Sequence, residues 1–380
     1  MPAAARLTDP HRRLLSLDVF RGITVAAMVL VNNPGTWRAV YGPLRHADWH
    51  GWTPTDLIFP FFLFIVGVAI PFGLGRRLDA DHGRGQVVRK VLRRALVIFL
   101  LGLVLHAISS MDLATIRIPG VLQRIAVCYL VAAVVFLTFG RGAQLSIATV
   151  ALLAYWAALT LIPVPGFGAG DLGKEGNLAA WIDRSVLGGH IWRVGRVYDP
   201  EGILSTIPAI ATTLLGVLTG QWLRGARVSG AMARRLLLSG VAGIVIGLVW
   251  GRWFPINKSL WTSSYVVFTA GAALLALAAC YWLIEIKRSR WWTGPFRILG
   301  VNALAVFFLS TLLAILLARV SILGTDGRPH SLQAILFDGL FAPWAAPAPA
   351  AASLAWAATN VVLWLAILWP FSRKGLRLTV

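Results

Sequence analysis

The 380-residue chain is 58% hydrophobic, and only 13% of it is Asp, Glu, Lys or Arg, roughly half the charged share of a soluble domain. Its net charge of +20 sits in short loops between apolar runs. No long basic face with interleaved aromatics is present, which argues against nucleic acid as a partner. The 17 Trp suit a protein with two lipid–water interfaces.

Ten runs are apolar and long enough to cross a bilayer: 16–33, 54–74, 91–108, 119–139, 143–163, 202–222, 235–253, 261–283, 296–318 and 352–370. They lack the alternation of barrel strands. The predicted fold class is therefore all-α: a polytopic integral membrane bundle of about ten transmembrane helices, read as a single domain over residues 1–380. The first run carries Asp18 and Arg21 and is followed by Asn-Asn-Pro-Gly, with no small-x-small cleavage site. It reads as an uncleaved span, with the two charges paired at i, i+3. Cys128 and Cys280 lie at different depths inside apolar runs and read as packing residues. No metal-ligand spacing is present.

With both termini on the cytoplasmic side, the cytoplasmic segments hold 22 Lys and Arg against 11 on the opposite face. Short basic loops face the cytoplasm. The 75–94 segment, with seven, is the strongest contributor. Three outer loops are substantial: 34–53, 164–201 and 319–351. In the last, Ser331 to Leu340 is expected as a helix lying on the membrane surface, before a Pro/Ala-rich stretch around 343–350.

The first outer loop is the richest in chemistry. Span 1 ends in Val-Asn32-Asn33-Pro-Gly, and Arg-His46-Ala-Asp48-Trp-His50 follows, leading through Thr-Pro-Thr-Asp56 into span 2. Such a loop lets an amide and an imidazole converge. The imidazole suits proton abstraction near neutral pH, and the Asn amide can donate to a developing oxyanion. On spacing alone a structural use is the stronger reading: Asn32 as a helix cap, His46 packed at the interface, Asp56 capping span 2. Arg124, beside Gln123, lies about 7–8 Å into span 4 with no acid in that span, which calls for an anionic ligand or a distant partner. Tyr198-Asp199-Pro-Glu201-Gly offers two carboxylates, either for a substrate or for a helix start. Asn257-Lys258 forms a further outer polar group, and Asn302 is a polar residue early in span 9. His11, His82, His106, His190 and His330 stand alone.

Together these segments resemble the transmembrane acetyltransferases related to lysosomal heparan-α-glucosaminide N-acetyltransferase, above all their bacterial inner-membrane, glucosamine-acetylating (NagX-type) members. The matching stretches are Leu-Ser-Leu-Asp18-Val-Phe-Arg21-Gly, Val-Asn32, His46-Ala-Asp-Trp, Asp56-Leu-Ile-Phe-Pro60, Arg117-Ile-Pro-Gly-Val-Leu-Gln123-Arg124, Tyr198-Asp199-Pro-Glu-Gly and Asn257-Lys258-Ser-Leu-Trp. The resemblance implies acetyl-CoA as donor, entering from the cytoplasm, and an amino sugar as acceptor on the other side. It puts the catalytic histidine on His46 and the essential asparagine on Asn32. Candidate donor contacts are Arg124 and Gln123, with Arg76, Arg77, Arg93 and Arg94 at the basic cytoplasmic mouth, where Arg suits phosphate. The same four arginines would equally serve to set topology. Candidate acceptor contacts are Asp48, Asp56, Asp199, Glu201, Asn257 and Lys258. The resemblance further implies a bacterial inner-membrane location and a homodimer. The lysosomal members' N-terminal luminal region, additional span and late Gly-His-Glu stretch are not matched. A secondary transporter for a sugar or amino sugar also fits ten spans with buried charges, although no inverted repeat is visible. An acyltransferase modifying surface glycans or lipids is the other reading.

Overall fold

The computed structural model describes residues 14–79, 83–323, 327–341, 343, 348–376 and 378. The side chains of Arg76 and Arg77, His11 and His82, and much of the Pro/Ala-rich stretch lie outside the described residues. Among the described residues nine helices are long and apolar enough to cross a membrane, and a bent pair makes up to ten. Contacts divide the chain into two compact units.

The first unit takes the described residues of Met1–Leu17, Ala47–Trp52 and Phe59–Ser289. It holds almost all of α2 (Ile58–Asp79), followed by α3 (Arg84–Ser110), α4 (Val121–Thr138), α5 (Arg141–Leu161), α6 (Leu178–Leu187), α7 (Thr206–Arg224), α8 (Gly230–Trp250) and α9 (Ser263–Tyr281). In lipid, no hydrophobic force drives helix on helix, so close packing depends on small residues. Gly216 and Gly220 of α7 supply it against α2. A Cβ on Gly216 would come 2.1 Å from the Phe64 carbonyl oxygen, and one on Gly220 would come 2.4 Å from that of Val68. Gly67 answers from α2, where a Cβ would meet the Thr213 carbonyl oxygen at 2.0 Å. α9 ends in a π-turn, Trp282–Ile286. Within it, buried Glu285 accepts the Ser16 N–H at 3.1 Å, a suitable charge for the otherwise unpaired amides at the start of α1 (Leu15–Asn32). The loop 164–201 contains α6, which hydropathy did not predict. Asn177 caps it by accepting from the Ala180 N–H at 2.8 Å, and its apolar face joins a core with Tyr155, Leu159, Phe254 and Leu260.

The second unit takes Asp18–His46, Thr53–Ile58 and Arg290–Val380. Here the expected continuous span 296–318 is broken. α10 (Thr293–Val301) and α11 (Ala303–Arg319) meet at 81°. Asn302 stands at the break with both ends of its amide engaged. Its Nδ2 donates to the Ile298 carbonyl at 2.8 Å and its Oδ1 accepts the Leu378 N–H at 2.8 Å. The polar residue terminates one helix and ties down the C-terminal segment. α1 approaches α10 through Gly22 and Gly300. A Cβ on either would lie 1.7 Å from the Phe296 carbonyl oxygen or 2.0 Å from that of Asp18. Arg21 contacts Asp18 at 3.5 Å and donates to the Gly300 carbonyl at 3.3 Å, so the i, i+3 pair is structural. A short antiparallel ladder, β1 (Ser321–Leu323) with β2 (Pro329–Ser331), precedes α12 (Leu332–Leu340). This is the helix expected there, capped by Ser331. α13 (Pro349–Arg373) closes the unit.

Candidate active site

In the second unit, the loop after α1 folds back on itself through side-chain bonds to its own carbonyls. Thr55 donates to the Pro43 carbonyl at 3.1 Å and Thr53 to that of Arg45 at 2.6 Å. Pro54–Leu57 is a 3₁₀ turn with a capping box, in which the Asp56 carboxylate accepts the Thr53 N–H at 3.0 Å. A capping acid normally stops there. Asp56 does more, because its other oxygen lies 2.7 Å from Nδ1 of His46. Asp56 is 1% exposed, whereas the His46 side chain is 47% exposed. A buried carboxylate that only accepts fixes the imidazole tautomer. With Asp56 accepting, the ring proton sits on Nδ1. Asp56, read from the sequence as an acceptor contact, is placed against the imidazole of His46. Asp48, nearer in sequence, is exposed.

Asn32 and Asn33 divide their labour. Asn33 is buried and donates from Nδ2 to the Val29 carbonyl at 2.7 Å, which spends it on ending α1. Asn32, the last residue of the helix, is exposed.

The first unit carries a second polar constellation. Arg117 makes a forked contact with Asp199, Nε to Oδ2 at 2.9 Å and Nη2 to Oδ1 at 2.5 Å. The same Nη2 donates to Glu201 at 2.5 Å. Burial would lower the Arg117 pKa, but the Glu201 and Asp199 carboxylates reverse this and hold it above its ordinary value. Both carboxylates of the Tyr198-Asp-Pro-Glu segment are therefore engaged by Arg117. His106 and His190 hold the strand of chain around Arg117, with Nδ1 of each 2.7 Å from the carbonyls of Arg117 and Ile116.

Arg124 is 2% exposed. Its Nη2 donates to Ser205 Oγ at 2.5 Å and to the Gly202 carbonyl at 3.2 Å. Its guanidinium carbon stands 5.1 Å from the centre of the Trp261 ring, and Trp261 itself is held at φ 53°. Nε and Nη1 of Arg124 are buried and find no hydrogen-bond partner among the described residues, and neither does Oε1 of Gln123. Buried donors are rarely left orphaned, so these atoms fit a polar ligand or bridging water. Asp183 of α6 is also nearby, 2% exposed. Burial pushes its carboxyl up to about 6, against the pull of the Ile203 N–H it accepts. The carboxylate lies where a Cβ on Gly202 would be.

Asn257 is fully buried, its Oδ1 accepting the Leu260 N–H at 2.8 Å. Its Nδ2 lies 3.3 Å from His50 Nδ1, and Lys258 beside it is half-buried. Arg94 stacks 5.1 Å over Tyr129, while Arg93 borders an apolar groove. Among the described residues no group of three or more His, Cys, Asp or Glu could hold a metal ion. Sequence reading missed the partners of Arg117 and the burial of Asp183. The only available signal was the lone Arg before Ile-Pro-Gly and the lone acid in Trp-Ile-Asp-Arg.

Fold and site together define a polytopic α-helical membrane protein with an oriented histidine in its first long loop. Residues 13–236 match the model of the heparan-alpha-glucosaminide N-acetyltransferase catalytic family, and the chain belongs to that family. It is 31% identical to heparan-alpha-glucosaminide N-acetyltransferase of Homo sapiens, covering 80% of this chain and 54% of that protein. To the Mus musculus enzyme it is 30% identical, covering 78% and 53%. The chain thus spans about half the length of the curated relatives it matches. His46, Asn32, Asp56, Arg117 and Arg124 all fall inside the matched region, and Asn257 and Lys258 fall beyond it.

Proposed function

We propose that the protein is a transmembrane N-acetyltransferase, moving the acetyl group of cytoplasmic acetyl-CoA to the amine of glucosamine or a related amino sugar on the opposite face of a bacterial inner membrane. The observation that carries this reading is the 2.7 Å contact between His46 Nδ1 and buried Asp56, in a member of an N-acetyltransferase family. The acceptor nitrogen attacks the thioester carbonyl carbon. A C–N bond forms and the C–S bond breaks. Nε2 of His46 takes the proton lost by the amine, and the CoA sulfur leaves as thiolate and is protonated in turn. A positioned base of this kind contributes roughly 10²–10⁴ in rate. The exposed Asn32 amide donates to the oxyanion that develops on the carbonyl oxygen, where one donor is worth roughly 10²–10³.

The orphaned donors of Arg124 and the orphaned Gln123 oxygen support a role for both in holding polar groups of the donor. The phosphates are assigned to the basic end of the bundle. A cavity of about 400 Å³ lined by Arg141, Gln144, Gln221 and Arg224 supports this, and α2 runs past the Arg224 guanidinium at Gly75 into Arg76 and Arg77. Both termini face the cytoplasm in this reading, and the active form is a homodimer.

The test is thiol release from acetyl-CoA by the purified protein, with and without glucosamine. Glucosamine-dependent release that is lost in His46→Ala is the expected result. Folded wild-type protein that releases no thiol with the sugar present would remove the reading.

A further inference from the structure

A groove on the first unit, between α3 and α4, shares no lining residue with the cavity assigned to the donor phosphates. Its volume is about 520 Å³. Two small residues, Ala95 and Ala126, 5% and 2% exposed, form its floor. Leu96, Phe99 and Leu130 stand beside them. Seven of its nine lining residues are apolar, and the other two are Arg89 and Arg93.

The arrangement follows from helical spacing. Arg89, Leu92, Arg93, Leu96 and Phe99 recur at intervals of three and four and share one face of α3. The two arginines are thus stacked one turn apart, a like-charge spacing that is unfavourable by itself. Neither α3 nor α4 contains an Asp or Glu, and among the described residues neither arginine is in an ion pair. Lys90 and Arg94 add further positive charge at the same end. An anion from outside the chain is what this end of the groove fits.

The rest of the groove sets what that anion carries. From Arg89 to Phe99 is ten residues, roughly 15 Å along the axis. That is about half of the ~30 Å hydrocarbon core of a bilayer, the reach of one leaflet. Free phosphate would leave the apolar walls unused, and a neutral lipid would leave the arginines without a partner. We infer that the groove is a binding site for an anionic phospholipid, with its phosphate between Arg89 and Arg93 and one acyl chain lying over Ala95 and Ala126 against Phe99 and Leu130. Charged headgroups are recognised at membrane surfaces by just such juxtamembrane basic clusters.

The full chain, delipidated in detergent, is titrated with dioleoylphosphatidylglycerol, dioleoylphosphatidylcholine or inorganic phosphate, with bound lipid counted by native mass spectrometry. Phosphatidylglycerol should bind wild type about thirtyfold more tightly than the Arg89→Gln/Arg93→Gln variant, at roughly five- to sixfold per basic residue. Phosphatidylcholine should bind both weakly and alike. Both arginines point outward, so Gln at these positions keeps the helix former and the fold. Ala126→Trp, filling the floor, should weaken phosphatidylglycerol in proportion to the loss of chain contact. Equal affinity for the two lipids, or wild-type phosphatidylglycerol affinity in the double variant, would overturn the assignment. So would competition by millimolar inorganic phosphate, which would mean an anion site without a lipid, or a groove covered by a second copy and exposed only when dimers dissociate.

Discussion

Asp56→Asn is the perturbation that separates an oriented base from a histidine that merely lines a loop. The substitution preserves shape. The asparagine oxygen can keep the Thr53 N–H at the 3.0 Å position, so the 3₁₀ turn and the start of α2 should stand. At the 2.7 Å contact, however, the amide NH₂ would face Nδ1 of His46 and donate to it. The imidazole proton would move to Nε2, and the lone pair needed for the amine proton would be lost. A charge-assisted hydrogen bond is worth about 1.5–3 kcal/mol, but the kinetic loss is set by the tautomer and should approach that of removing the base, about 10²–10⁴ in kcat. Groups that act as a unit are not additive. His46→Ala/Asp56→Asn should therefore be no slower than His46→Ala alone. The assay is glucosamine-dependent thiol release, with acetyl-CoA binding and thermal unfolding in detergent measured on the same preparations. A folded Asp56→Asn protein within a few-fold of wild type would refute the reasoning. A double variant a further hundredfold slower than His46→Ala would also refute it, since Asp56 would then act without the imidazole.

Arg117→Ala leaves the carboxylates of Asp199 and Glu201, 0% and 9% exposed, without their cation. Breaking a buried pair this way costs about 3–5 kcal/mol, so a large fall in thermal stability is expected, and an unchanged Tm would show that the triad is not structural. Arg124→Ala should weaken acetyl-CoA binding by roughly 10- to 100-fold, the worth of one or two bonds to a charged donor; wild-type binding by a folded variant would take Arg124 out of the donor site. Asp183 has a folded pKa of about 6 against an ordinary value of 3.8. The folded state therefore holds a proton that the unfolded state has released, and this group's contribution to stability falls by about 3 kcal/mol as pH rises from about 4 to above 6. The Tm difference between Asp183→Asn and wild type should grow across that window, and a constant difference would contradict the burial argument. For topology, cysteines at Gly42 and Gly85, both open to solvent with nothing within 4 Å of a Cβ, should label from opposite sides of the membrane, whereas labelling from one side would overturn the orientation.

Hydropathy is a property of consecutive residues, and a bilayer reads it directly. For that reason the all-α class and nearly every span were legible from the sequence alone. The bend at Asn302 was not, since one of the two bonds that engage its amide comes from a backbone N–H 76 positions away. Nor was the long-range pairing of charges, in contrast to the local Asp18–Arg21 pair. Asp48 is the acid nearest His46 in sequence, but the capping box of Pro54–Leu57 turns Asp56 back onto the ring. Asp199 and Glu201 read as a substrate contact or a helix start, and the fold adds what the sequence does not show, Arg117 brought to both from more than 80 residues away. A buried polar group must find a partner wherever the chain places one, so its identity is set by loop closure and packing. The sequence determined which residues are polar in an apolar setting. Only the tertiary structure decided which of them are spent on one another, as Arg117 is, and which keep donors to spare among the described residues, as Arg124 does.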